Sequence, residues 1–209
     1  FLVLGILTTS TRGGAVALVA CLLYFWKKQG FKIKYAFLII LIALTFVSML
    51  SEAQWQKFEI MGTEQDKSAQ ERIDNWKIAW MMMNDFPIFG VGPWNFVQAK
   101  YEIYHEQKNL FVQHNIFLQV CTELGYPGLV ILLCLIYSFY RTTKDIKMFD
   151  ISNSKKEYSY IAHGLDLSML GFIVSGMFIT TLYYPFFWLN LAFAVCLGNV
   201  AHQKVSKAQ

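Results

Sequence analysis

HNIFLQVCTELGYPGLVILLCLIYSFY, residues 114–140, opens on two polar side chains and carries no charge between Glu123 and Arg141. A helix needs about 20 mostly apolar residues to cross the roughly 30 Å hydrocarbon layer of a bilayer, and the run from Tyr126 onward comes close to that length. His114 and Asn115 thus stand at the doorway of a membrane segment. The fold follows from that run and its repeats elsewhere; the function turns on why a titratable side chain sits at its entrance.

The wider composition agrees with the run. The 209 residues are 56% hydrophobic and only 15% charged, the profile of a membrane protein. Apolar stretches at 13–26, 35–50, 126–140, 160–182 and 186–200 read as transmembrane helices. Residues 1–9 read as the tail of another, so the chain is expected to be the C-terminal part of a longer protein. The fold expected is all-α: a polytopic helical membrane protein with transmembrane helices in 1–50, a long, partly helical extracytoplasmic loop over 51–125, and three transmembrane helices with a cytoplasmic tail in 126–209.

Orientation follows from Lys and Arg, which concentrate in short cytoplasmic loops. Lys27, Lys28, Lys32 and Lys34 form one basic segment, Arg141, Lys144, Lys147, Lys155 and Lys156 a second, Lys204 and Lys207 a third. An even number of crossings separates them, so one orientation puts all three inside. The outward side then holds seven basic against ten acidic side chains. The net +4 is an inside excess, not the footprint of a nucleic-acid binder. Cys21, Cys121, Cys134 and Cys196 have no paired spacing and read as packing residues.

The outer stretch is far longer than an ordinary connection, and Trp55, Trp76, Trp80 and Trp94 argue that it folds. Ser68 and Glu71 have capping-box spacing, which predicts a helix over about 68–85. Its stripe of Ile73, Trp76, Trp80 and Met83 suits the membrane face or the bundle. Pro87 ends it. Gly90 and Gly92 follow in a turn, either purely structural or one that brings backbone N–H groups to an anion.

Three side chains are candidates for chemistry. His114 either anchors a helix at the interface or, as a neutral imidazole, takes a proton from a hydroxyl. Arg72 lies in the first turns of the predicted helix, where anions are favoured, or is a solvated charge. Arg12 ends an outward-facing apolar helix, and either snorkels to the headgroups or binds phosphate with its planar fork. Glu123 and Asp85 are supporting groups, and Asp166 with His163 one turn before it reads as a local pair or a water contact. No metal-ligand, nucleotide-loop or serine-hydrolase spacing occurs. A transporter would place ionisable or helix-breaking residues at mid-membrane in several spans, and only Asp166 approaches this.

Taken together, STRGG at 10–14, SAQER at 68–72 with Trp76, PIFGVG at 87–92, and HN-x9-G-x2-G from His114 to Gly128 resemble the O-antigen ligase and polymerase superfamily of bacterial envelope proteins, the O-glycosylation ligase branch above all. The resemblance implies a metal-independent glycosyltransferase without a cofactor, multi-pass in the bacterial inner membrane, with its active site facing the periplasm or cell exterior. It implies transfer of a glycan from a polyprenyl-pyrophosphate donor to an acceptor hydroxyl on lipid A core or protein, or repeat-unit polymerisation onto a growing polysaccharide. By the same likeness Arg12 and Arg72 hold the pyrophosphate, Gly90, Gly92 and Asn115 contribute to substrate binding, and His114 activates or orients the acceptor. Gly13-Gly14 stands after Arg12 where the family more often has Gly-Ala.

Overall fold

A computed structural model describes residues 12–48, 52, 55, 67–106, 111–152 and 157–206. Its described residues form seven helices: α1 (Arg12–Lys28), α2 (Ile33–Ser48), α3 (Lys67–Asp85), α4 (Phe96–Glu102), α5 (Ile116–Ser152), α6 (Glu157–Gly176) and α7 (Pro185–Ser206). Residues 1–9, expected to be the tail of a further span, lie outside the described residues.

Helices α5, α6 and α7 pack on one another, α1 lies along α6, and α3 lies against α5. The main core joins Ile116, Val120, Leu132 and Phe139 of α5 to Met169 of α6, Phe187 and Ala194 of α7, and Leu182 before it. A second core closes α3 on α4 through Ile78, Ala79, Met82, Phe96 and Ala99. Helix α2 packs on α1 and leaves Phe37, Ile40, Leu41 and Leu44 exposed. Exposed apolar side chains continue over Val130, Ile131 and Leu133 of α5 and Leu189, Phe193 and Val195 of α7. The segment Ile116–Met148 is long and apolar enough to cross a membrane, and Ile33–Thr45 and Pro185–Ala201 are shorter apolar helices.

Two boundaries and one buried face differ from the sequence reading. Helix α6 stops at Gly176 although apolar residues continue to Leu182, because Gly176 packs against Ile116 and residues 177–184 turn back before Pro185 starts α7. Helix α3 already includes Lys67, so Ser68 lies inside its first turn and not at the cap. Of its predicted stripe, Ile73, Trp76 and Trp80 stay exposed while Met83 is buried. The buried face runs through Asn75, Ile78, Ala79 and Met82, where small and flexible side chains admit Phe96 and Ala99.

Asp166 also differs. Its carboxylate is 2% exposed and joins three helices: it accepts hydrogen bonds from Thr143 of α5 (2.6 Å) and Tyr24 of α1 (2.9 Å), and pairs with Lys147 of α5. His163 stands farther off, 4.0 Å away. A buried charge needs partners to offset its desolvation, and here they arrive from neighbouring helices, not from its own preceding turn.

Candidate functional site

The site grows from a break in α5. Gly125 (φ 69°, ψ −176°) interrupts the helix, and Pro127 has no N–H to give to Glu123. Two carbonyls that an unbroken helix would use, those of Thr122 and Glu123, are therefore free to accept from elsewhere. The turn after α3 supplies the donors: Val91 N–H reaches the Thr122 carbonyl (2.8 Å) and Gly92 N–H the Glu123 carbonyl (3.1 Å). In return the Tyr126 N–H bonds the Pro87 carbonyl (2.8 Å).

Only glycines permit so close a backbone contact. A Cβ on Gly125 would stand 2.3 Å from the Ile88 oxygen, and one on Gly90 2.5 Å from the Glu123 carbonyl carbon. The PIFGVG and G-x2-G segments are thus two halves of one joint. Gly90 N–H donates to Phe86, so the amides of Gly90, Val91 and Gly92 are all engaged by carbonyls and do not point into an anion cradle. Gly90 and Gly92 build the joint.

His114 stands just before the other end of the first half of α5, residues 116–124, which the break at Gly125 closes. Asn115 caps it: its side-chain oxygen accepts from the N–H groups of Phe117 (2.9 Å) and Leu118 (3.2 Å). The preceding segment is bound to α3, where Trp76 Nε1–H donates to the Gln113 carbonyl (2.8 Å) and Asn75 Nδ2 to that of Val112 (3.3 Å). Buried Lys100 in turn donates to Asn75 Oδ1 (2.7 Å). The Gln113 amide donates to the Thr122 hydroxyl (2.7 Å), binding the segment back onto α5. Between these ties His114 takes a left-handed backbone (φ 48°), which non-glycine residues adopt seldom and mostly at functional or capping positions.

Arg72 lies one turn before Trp76 on α3, and its positive charge is felt at the imidazole. Burial, and after it the positive charge of Arg72, hold the His114 pKa below its ordinary 6.5. The imidazole is mostly neutral at pH 7, a proton acceptor within the field of a cation.

Arg12 opens α1, and its side chain lies outside the described residues. Its backbone is placed through the next residue: a Cβ on Gly13 would meet the Phe178 side chain at 2.8 Å. Phe178 belongs to the turn that α5 also grips, with Leu182 N–H donating to Gln119 Oε1 (3.3 Å) and the Tyr183 hydroxyl donating to Glu123. The N-terminus of α1, the turn 177–184 and the first half of α5 therefore meet at one end of the bundle.

Glu123, a supporting group in the sequence reading, is 3% exposed and accepts from Trp94 N–H (3.0 Å) as well as from Tyr183. Burial and that bond keep the Tyr183 hydroxyl protonated far above neutral pH. Trp94 and Tyr183 stack, with centroids 4.6 Å apart and planes 24° from parallel. Nothing local in the sequence joins residues 94, 123 and 183; the only signal was an acidic side chain in an otherwise apolar approach to a span. Asp85 accepts from the Tyr104 hydroxyl at the surface. Among the described residues no three His, Cys, Asp or Glu side chains gather as metal ligands.

The described residues thus form an all-helical chain with one helix long and apolar enough to cross a membrane, and a histidine of lowered pKa just before that helix. The model of the O-antigen ligase family matches residues 1–133, and the chain belongs to that family. No curated protein sequence matches it.

Proposed function

We propose that the protein is a multi-pass glycosyltransferase of the bacterial inner membrane. It moves a glycan from polyprenyl pyrophosphate to an acceptor hydroxyl on lipid A core, a growing polysaccharide or protein, at the outer face. The observation that carries this is the left-handed, firmly anchored His114 at the mouth of α5, its pKa lowered by burial and then by the charge of Arg72. Family membership supplies the ligase class.

In the proposed reaction the acceptor oxygen bonds the anomeric carbon of the donor sugar and passes its proton to His114. The bond between that carbon and the pyrophosphate oxygen breaks, and polyprenyl pyrophosphate leaves with the electron pair. Arg72, with Arg12 from the adjoining end of α1, neutralises the charge that grows on the phosphates, which is the larger electrostatic task. A positioned base contributes about 10²- to 10⁴-fold. Asn115 holds the half-helix on which the imidazole depends.

The exposed apolar side chains of α2, α5 and α7 suit lipid contact, since a water-facing surface seldom shows so much apolar area. Lys27 and Lys28 end α1 at the pole opposite Arg12, and Arg141 and Lys144 lie far along α5 from His114, which suits a site facing outward. An apolar groove of about 170 Å³ between α1 and α2, beginning at Ala15 one turn below Arg12 and reaching Leu22 and Ile39, fits part of an isoprenoid tail.

The test is reconstitution of the purified full-length protein with a polyprenyl-pyrophosphate glycan and each acceptor class, the product read by mass spectrometry. One acceptor is expected to gain the mass of the glycan while polyprenyl pyrophosphate is released. An intact donor with every acceptor unmodified would refute the reaction.

A further inference from the structure

We propose that Trp94, backed by Tyr183 and hung from Glu123, is a stacking platform for a pyranose ring of the glycan. This rests on the glycan-transfer reading above and adds the place where the saccharide is gripped. Trp94 is 72% exposed, yet it is held at two points. Its N–H is bound by the buried Glu123 carboxylate, one ring face lies against Tyr183, and Tyr183 donates its hydroxyl to that same carboxylate. One buried acid thus anchors the Trp94 backbone and the Tyr183 ring against which the indole lies, and at 72% exposure the other face of the indole is open among the described residues.

The backbone agrees. Trp94 adopts φ 66°, a left-handed conformation rarely taken by so bulky a residue, immediately after Gly92 and Pro93. A ring that served only to fill space would sit in the core, as Phe96 does two residues later at 1% exposure. The free face of an indole carries partial negative charge and a broad apolar surface, complementary to the partly positive C–H groups on one side of a pyranose. Recognition of this kind needs no charge on the sugar, and it tolerates different hydroxyl patterns.

The platform also has a rigid link to the proposed reaction centre. Thr122 accepts Val91 N–H at its carbonyl and Gln113 Nε2–H at its hydroxyl, so a single residue ties the turn that carries Trp94 to the segment that carries His114. A sugar held on the indole is consequently in fixed register with the imidazole.

The test uses the purified full-length protein in nanodiscs. The probe is the free saccharide released by mild acid from the cells' own polyprenyl-linked glycan, titrated by tryptophan fluorescence. Trp94→Leu keeps an apolar side chain and removes the π face; it is expected to weaken saccharide binding about tenfold, the upper end of what an aromatic contact adds beyond burial. Trp94→Phe is expected to stay within about threefold of the unmodified protein. Equal binding by Trp94→Leu, as a mere membrane anchor predicts, overturns the platform. If Trp94→Leu melts early, protein labelled with fluorotryptophan answers without it: the fluorine resonance absent from Trp94→Phe should shift on saccharide addition, and an unmoved line overturns the proposal. Saccharide bound through Trp94 in a protein that transfers nothing would sink the reaction and leave the platform standing. Transfer at unchanged KM by Trp94→Leu would do the reverse.

Discussion

At His114 the physical question is protonation. Its pKa lies below 6.5 because burial disfavours the imidazolium and Arg72 repels it. As pH falls, the unfolded chain takes that proton first, so neutral imidazole persists in the folded protein below the point where a free histidine would be lost. Transfer is therefore expected to fall to half its plateau only at a pH below 6.5. Arg72→Gln removes one of the two causes, which makes protonation easier and moves the acid limb upward toward 6.5, while burial keeps it from reaching that value. A pH profile of the residual transfer measures the shift; a limb that moves down, or not at all, contradicts the pairing. Arg72→Ala should also cut transfer by about 10²-fold or more while membrane insertion is unchanged, as expected when one preorganised charge is withdrawn from a leaving group.

Among the elements, the joint between the 87–92 turn and α5 is the least forgiving. Gly125→Ala forces a Cβ to 2.3 Å from the Ile88 oxygen at a backbone angle that alanine resists. The strained angle alone costs about 1–3 kcal/mol, so a lowered melting temperature together with lost transfer is expected; an unshifted melt would show that the contact does not hold the joint. The sequence displayed these glycines as two separate motifs. Their partnership was not legible, because backbone carbonyls released by Gly125 and Pro127 have no residue-type signature. The helices themselves were easier to read, since apolar runs and the three-and-four spacing of α3 are local signals. The buried face of α3 escaped notice for the opposite reason: Asn75 is buried only because Lys100 and the Val112 carbonyl meet it there. Polar pairs drawn from distant positions leave no period in the sequence.

For the whole molecule, what matters is that α1 returns to α6 across more than a hundred residues. Asp166 marks that return, since its carboxylate is reached from α1 and α5 at once. Asp166→Ala strands Lys147 and two hydroxyls, and the loss of one partner from a buried ion pair typically costs about 3–5 kcal/mol. Thermal unfolding should register it, and an unchanged melt would remove Asp166 from the scaffold. The gathering of the α1 N-terminus, the 177–184 turn and the first half of α5 at one pole followed from this packing and could not be read from spacing. His114, Arg72 and Arg12 were legible as candidates only through residue chemistry and family likeness.

Whether the imidazole itself takes the acceptor proton decides the proposed reaction. Replacing it as His114→Gly leaves a space into which free imidazole can diffuse. Transfer by that variant, followed with and without added imidazole, should fall by about 10²- to 10⁴-fold and recover in part as the neutral base is supplied. Transfer at the unmodified rate without imidazole would contradict the role given to His114.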